Sequence, residues 1–269
     1  MLNPLHAGQT WSSTPWSSDV ASSSSSSHQP ITHTSQPIVT GTSVLGLRYK
    51  DGVMMATDTL ASYGSMARFM NIQRMHPLGE HTVLGASGDM SDMQYVLHEM
   101  DKVLLSEFNQ DDGHSLTPQQ LYAWLARLMY NRRSKIDPLW NSFIVGGYTP
   151  PSTSSGEGPE AKGKPFLGFV DLLGVTYQSS TIATGFGMHL AQPLLRTAVE
   201  GKEDVLTEEQ ARAILEGCMK VLFYRDARSL NRFQIATINS SGVSISEPKS
   251  VPTSWGFAEG LRGYGPQTQ

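Results

Sequence analysis

The sequence holds one cysteine, Cys218, so no disulfide can form within the chain, which favours a reducing compartment. Its neighbours read as helix, where a small buried residue is the expected role. Long apolar runs are missing, and none approaches the ~20 residues that a bilayer-spanning helix needs. The N-terminus lacks the basic-then-apolar order of a secretory signal. Charged residues make up only 16% of the chain and nearly balance, with a formal net charge of −4; that is no electrostatic footprint for nucleic acid. The histidines at 6, 28, 33, 76, 81, 98, 114 and 189 have no metal-ligand spacing. No P-loop or dinucleotide fingerprint is present. No membrane, nucleic acid, metal or cofactor is therefore expected as a partner.

What is present suits one large domain with ragged ends, since 269 residues can bury a sizeable core. Residues 1 to about 35 differ from the rest: six serines at 22–27, with scattered proline, threonine and histidine, cannot support a core. This stretch reads as a disordered tail that is also a removable propeptide, residues 1–33. The domain is then expected over 34–254. A second polar insert, Pro150 to Lys164, reads as a surface loop between strands.

Between these stretches, pairs of strands alternate with pairs of helices. Residues 43–49 and Val53 to Thr57 read as a hairpin closed at Asp51-Gly52, and another strand is expected near Thr82–Ser87. Met90, Met93, Leu97, Met100 and Leu104 recur at helical spacing, with the methionines as core filler. Thr117-Pro118-Gln119-Gln120 combines an N-cap, a first-turn proline and a capping-box glutamine; its helix carries Leu121, Trp124, Leu125, Leu128 and Met129 on one face. Strands are expected at Ser142–Tyr148, Phe166–Leu172 and Val175–Ser179, the last two joined at Leu173-Gly174. A third helix is expected from about Met188 to Glu200, and a fourth from the Thr207–Gln210 capping box to about Asp226. Arg232–Asn239 and Val243–Glu247 read as a closing hairpin. This order predicts an α+β fold in four layers, two antiparallel sheets between two helical layers.

Within this frame Thr42, preceded by Gly41 at the expected opening of the first strand, is a candidate nucleophile. A threonine hydroxyl is weak and needs a base in reach; an N-terminal threonine can use its own α-amine. A lysine alongside could tune that amine, because burial shifts its pKa readily. Sixteen residues after Thr42 comes Asp58, sixteen further Arg74, and fourteen further Gly88. The hairpin returns Asp58 to the neighbourhood of Thr42. Arg74 can pair with Asp58 but cannot accept a proton. Thr42 also follows forty-one residues, so its nitrogen is an amide. Both features point to a silent site.

The spacing and six stretches of sequence resemble the β subunits of the eukaryotic 20S proteasome, most specifically the type-4 branch at the seventh position of the β ring. The stretches are Thr40 to Val44, Ser62 to Ser65, Gly85 to Asp89, Arg132 to Lys135 followed by Pro138 to Asn141, Ala183 to Gly187 and Tyr224 to Ser229. The resemblance runs from about residue 34 to 269 and implies the αββα fold of Ntn hydrolases. It implies that Thr42 stands where active members have their nucleophile, Asp58 where the lysine has its carboxylate, and Gly88 where an amide serves the oxyanion. Asp226 and Ser229 match the pair that supports the threonine amine. Arg74 stands for the lysine, and Phe186 for a serine that contacts the amine; Phe186 is expected to fill space that a proton-relay water needs.

A non-catalytic structural subunit is thus implied, supporting β-ring assembly and ring–ring contact in proteasomal protein degradation, ubiquitin-dependent degradation included. The alternatives are an active N-terminal threonine protease subunit and a stand-alone binding protein on the same scaffold. The implied partners are the other α and β subunits of two α and two β seven-membered rings, with assembly chaperones and regulatory particles reached through the complex. The implied location is cytoplasm and nucleus. Propeptide cleavage is expected between His33 and Thr34. Arg132, Arg133 and Lys135 read either as a solvated helix end favourable to the dipole or, beside Trp140, as an interface patch; the resemblance favours contact with neighbouring subunits. Trp255, Phe257 and Tyr264 lie in a glycine-rich tail, 255–269, with no obvious home in the core. Aromatic anchors of this kind are typical of interfaces.

Overall fold

The computed structural model describes residues 38–113, 115–151 and 163–256. The serine-rich stretch, the expected cleavage point His33-Thr34, most of the Pro150–Lys164 insert, Phe257 and Tyr264 lie outside the described residues.

The strands are β1 (Val39–Gly41), β2 (Val44–Tyr49), β3 (Gly52–Asp58), β4 (Ala61–Tyr63), β5 (Met66–Phe69), β6 (Met75–Pro77) and β7 (Thr82–Asp89). After helices α1 (Met90–Phe108) and α2 (Pro118–Ser134) come β8 (Asn141–Thr149), β9 (Lys164–Val170), β10 (Thr176–Gln178) and β11 (Thr181–Ala183). Helices α3 (Gly187–Leu190), α4 (Gln192–Val199) and α5 (Glu208–Arg225) precede the closing pair β12 (Phe233–Asn239) and β13 (Gly242–Ile245).

One sheet has the order β10-β9-β8-β7-β1-β4-β5, with β6 also pairing β7; the other has β11-β2-β3-β12-β13. All the described pairings are antiparallel. Successive strand residues point to opposite faces, and β3 is buried along its whole length. Its Met54 and Ala56 join Leu45, Leu47, Leu195, Leu215 and Leu222 beneath α4 and α5. Its Val53 and Met55 join Val44, Ile144, Leu167 and Ile238 between the sheets. A third cluster packs Met93, Met100, Leu121 and Met129 of α1 and α2 onto Leu84, Phe143 and Val145. The result is helices, sheet, sheet, helices, as the element order predicts.

Both expected capping boxes are formed, Thr117 with Gln120 and Thr207 with Gln210. The first hairpin turns through Lys50-Asp51, with Gly52 already in the strand and paired to Tyr49. Gly52 is needed there because a Cβ would lie 2.0 Å from the Ile238 carbonyl oxygen. The helix expected over Met188–Glu200 is two helices that meet at Ala191. Pro193 in the first turn of α4 supplies no N–H and disfavours helix before it. The strand expected over Phe166–Leu172 stops at Val170, because the Asp171 carboxylate accepts from the Leu173 and Val175 amides, both at 2.9 Å. The short strands β1, β4, β5, β6 and β11 have too few residues to show alternation, and sequence reasoning missed them.

One correction bears directly on function. Gly41 does not open the first strand; it closes β1, which lies inside the larger sheet between β7 and β4. β2 starts at Val44 in the other sheet, so Thr42-Ser43 is the crossing between the two.

Candidate functional site

The crossing at Thr42-Ser43 passes under Arg74, which is completely buried. A guanidinium has five N–H donors in a planar fork, and all five are used. Nε donates to the Asp58 carbonyl at 3.1 Å, and Nη1 to the carbonyls of Thr42 at 2.8 Å and Ala86 at 3.1 Å. Nη2 donates to the Ser43 carbonyl at 3.0 Å and pairs with the Asp58 carboxylate. Gly41 leaves room for this side chain: a Cβ there would lie 2.6 Å from Arg74 Cδ. Arg74 thus clamps the Thr42-Ser43 crossing to β3 and β7 by their carbonyls.

Asp58 is buried beside it, and its second oxygen accepts from the Leu230 amide at 3.0 Å. Burial drives the carboxyl above its ordinary range, opposed by the Arg74 charge and the Leu230 amide. The sequence brings Asp58 toward Thr42 through the hairpin; in the structure Arg74 links them, holding the Thr42 carbonyl and the Asp58 carboxylate at once.

The Thr42 hydroxyl points elsewhere. It donates to Asp226 Oδ2 at 2.6 Å, while Asp226 Oδ1 accepts from the Arg228 amide at 2.9 Å. Asp226 sits at this point because α5 ends there, its N–H closing on the Leu222 carbonyl at 2.7 Å. Ser229, expected with Asp226 near Thr42, instead donates to the Asp226 and Leu222 carbonyls at 2.7 and 3.2 Å. Its hydroxyl braces the end of α5, adding a second donor to the Leu222 carbonyl that the Asp226 amide already reaches.

Gly88 pairs with Gly41 across β7 and β1. It has φ +92°, and a Cβ would lie 2.1 Å from the Trp140 carbonyl oxygen, so only glycine fits. Thr42, Gly88, Trp140, Asn141, Phe186 and Asp226 all line one cleft of about 280 Å³. Phe186 is 59% exposed and forms part of the cleft wall at the start of α3.

Three residues that sequence reasoning passed over shape this region. Asn141 donates to the carbonyls of Ser87 at 2.9 Å and Asp89 at 2.8 Å, bracing the strand at Gly88. Ser43 Oγ accepts from the Gly187 amide at 2.8 Å, tying α3 to the crossing. Asp89 caps α1 through the amides of Ser91 and Asp92 and accepts from the Ile38 amide at 3.0 Å. Burial pushes the Asp89 carboxyl up, but the Ser91 hydroxyl and the amides of Ile38, Asp92 and Ser91 together hold it below the usual range. A polar residue at a strand start after a tryptophan was the available signal for Asn141. No local signal marks Ser43.

Comparison with known proteins decides the family. The family model described as "Proteasome subunit" matches residues 38–238. The chain belongs to the proteasome subunit family. It is 49% identical to a Xenopus laevis protein named proteasome subunit beta type-4, over 87% of this chain and 92% of that one. It is 44% identical to an Arabidopsis thaliana protein of the same name, over 82% and 84%. It is 42% identical to a Saccharomyces cerevisiae protein named proteasome subunit beta type-7, over 88% of each. The other subunits of the 20S core are the partners of a proteasome subunit.

The interface residues expected from sequence have neighbours within the chain. Arg132 donates to the Asp137 carbonyl and carboxylate at 3.0 and 2.9 Å and lies 5.1 Å over the Tyr95 ring. Arg133 lies 5.7 Å over Tyr130, and Lys135 is the C-cap of α2. Trp140 is at the cleft rim. Trp255, expected to lack a home in the domain, packs edge-on against Phe223 and Tyr224 of α5, with ring centroids at 5.9 and 5.0 Å. It remains 47% exposed. No described helix is long and apolar enough to cross a membrane.

Proposed function

We propose that this chain is a non-catalytic β subunit that helps build the β ring of the 20S core and its ring–ring contact, in the cytoplasm and nucleus. The observation that carries this reading is the clamp at Arg74. The side chain in the position of a proton-shuttling lysine cannot give up its proton, and all its donors are committed to carbonyls and to Asp58. The Thr42 hydroxyl is committed to Asp226. Thr42 also lacks an α-amine while Gly41 precedes it, and Gly41 belongs to a strand paired on both sides. Releasing an amine at Thr42 would take β1 out of the sheet. An active protease subunit, the alternative, would need that release.

Residues 1–33 are on this reading a propeptide removed between His33 and Thr34 by a neighbouring active subunit, and the tail over 255–269 contacts other subunits. The test of silence is a threonine-directed trap, an epoxyketone or a boronate, applied to the assembled particle. Thr42 should stay unmodified while active neighbours are labelled. A covalent adduct on Thr42 would overturn the reading.

A further inference from the structure

The turn after α2 presents a side chain that the domain itself does not use. Ile136 has φ +57°, a left-handed conformation that β-branched residues rarely adopt. Its side chain is 92% exposed. The turn around it is rigidly held. The Ile136 and Asp137 amides donate to the Arg133 and Arg132 carbonyls, both at 3.1 Å. Arg132 reaches across to the Asp137 carbonyl and carboxylate, and Leu139, just beyond, is buried. A strained backbone held this firmly, displaying an apolar side chain to solvent, is an outlier that calls for a functional explanation.

The surroundings state the chemistry of a partner. Arg133 and Lys135 flank Ile136 and are exposed; among the described residues neither has a carboxylate within ion-pair distance. Arg132, by contrast, is neutralised by Asp137. Tyr130, beneath Arg133, is exposed as well. So is Leu173, whose chain neighbour Gly174 lies so near Tyr130 that a Cβ there would be 2.8 Å from the Tyr130 Cβ. An apolar knob with a cationic rim complements an apolar pocket with an anionic rim.

We propose that Ile136 is an anchor inserted into an apolar, carboxylate-rimmed pocket on a different, neighbouring subunit, with Arg133 and Lys135 pairing to the rim. This rests on the reading of the chain as a structural subunit. The decisive variant is Ile136→Gly, because glycine accepts the left-handed conformation and removes an exposed apolar side chain, so the fold has no reason to suffer. A tagged Ile136→Gly chain, expressed beside the untagged natural chain, should enter 20S particles about tenfold less well, the scale of losing one interface anchor. Its thermal unfolding should be unchanged or raised. Arg133→Glu with Lys135→Glu should lower incorporation too, by opposing the rim charges. Ile136→Cys carrying a thiol-reactive photo-crosslinker, with Cys218 buried, should attach to another subunit. Equal incorporation of Ile136→Gly and natural chains overturns the anchor, as does cross-linking only to a second copy of this chain. Absence of the natural chain from particles would instead defeat the underlying subunit reading.

Discussion

Arg74 meets Thr42 through the carbonyl oxygen, at 2.8 Å from Nη1, and not through the hydroxyl. Arg74 therefore works as a brace for the backbone crossing between two sheets. The hydroxyl is drawn the other way, toward Asp226 at 2.6 Å. These two bonds pull one threonine into a structural role at both ends.

Replacing the brace should not restore chemistry. Arg74→Lys keeps the charge but offers three donors where five are in use, and Thr42 still lacks an amine. Peptide turnover in particles with all neighbouring nucleophiles blocked should remain at background, while the domain is weakened. Arg74→Met should be worse, by about 3–5 kcal/mol, because Asp58 is left buried without its partner. Urea unfolding of the two variants gives the order. Turnover above background by Arg74→Lys would contradict the silent-site reading.

Acid should weaken the N-terminal cap of α1. The Asp89 carboxyl is held below its ordinary range in the fold, so its ionised form stabilises the folded state above the unfolded-state value. That contribution is lost as pH falls through the lower, folded value. Asp89→Asn should be destabilised near neutral pH, and its deficit relative to the natural chain should shrink as pH falls below about 4. Unfolding titrations over that range check the sign; a deficit that widens on acidification would contradict it.

Processing should stop upstream of β1. The proposed cleavage between His33 and Thr34 would keep Val39–Gly41 in the sheet, and on the proposed reading of a silent site the cut is made in trans. With every neighbouring nucleophile inactivated, mass spectrometry should find the chain with residues 1–33 still attached. Unchanged trimming would show that another protease does it.

The tail should matter for joining half-particles, with Trp255 contributing at home. Its edge-to-face packing on Phe223 and Tyr224 is worth about 0.5–1.5 kcal/mol per pair, so Trp255→Ala should loosen the end of α5. Deleting residues 257–269 should leave the domain intact and slow half-particle dimerisation on native gels. Joining at the normal rate, with unchanged salt resistance, would mean that this segment makes no such contact.

The sequence alone determined what local chemistry can specify. The capping boxes at Thr117 and Thr207 depend on residues three apart, so they are legible directly, and so are the long helices and strands whose periodicity repeats. Arginine at position 74 excludes a proton shuttle by residue type, before any coordinates. Tertiary structure decided which atoms those residues use. Thr42 lies on a crossing between sheets because β1, three residues long, finds its partners in β4 and β7, a pairing that no short window of sequence records. Ser229 turned to the Asp226 and Leu222 carbonyls at the end of α5, and Trp255 docked onto rings 31 and 32 positions before it. Ile136 stands exposed in a left-handed turn because Arg132 and Asp137 close around it. Each outcome is a competition among distant groups for one acceptor or one surface, and only the folded chain brings the competitors together.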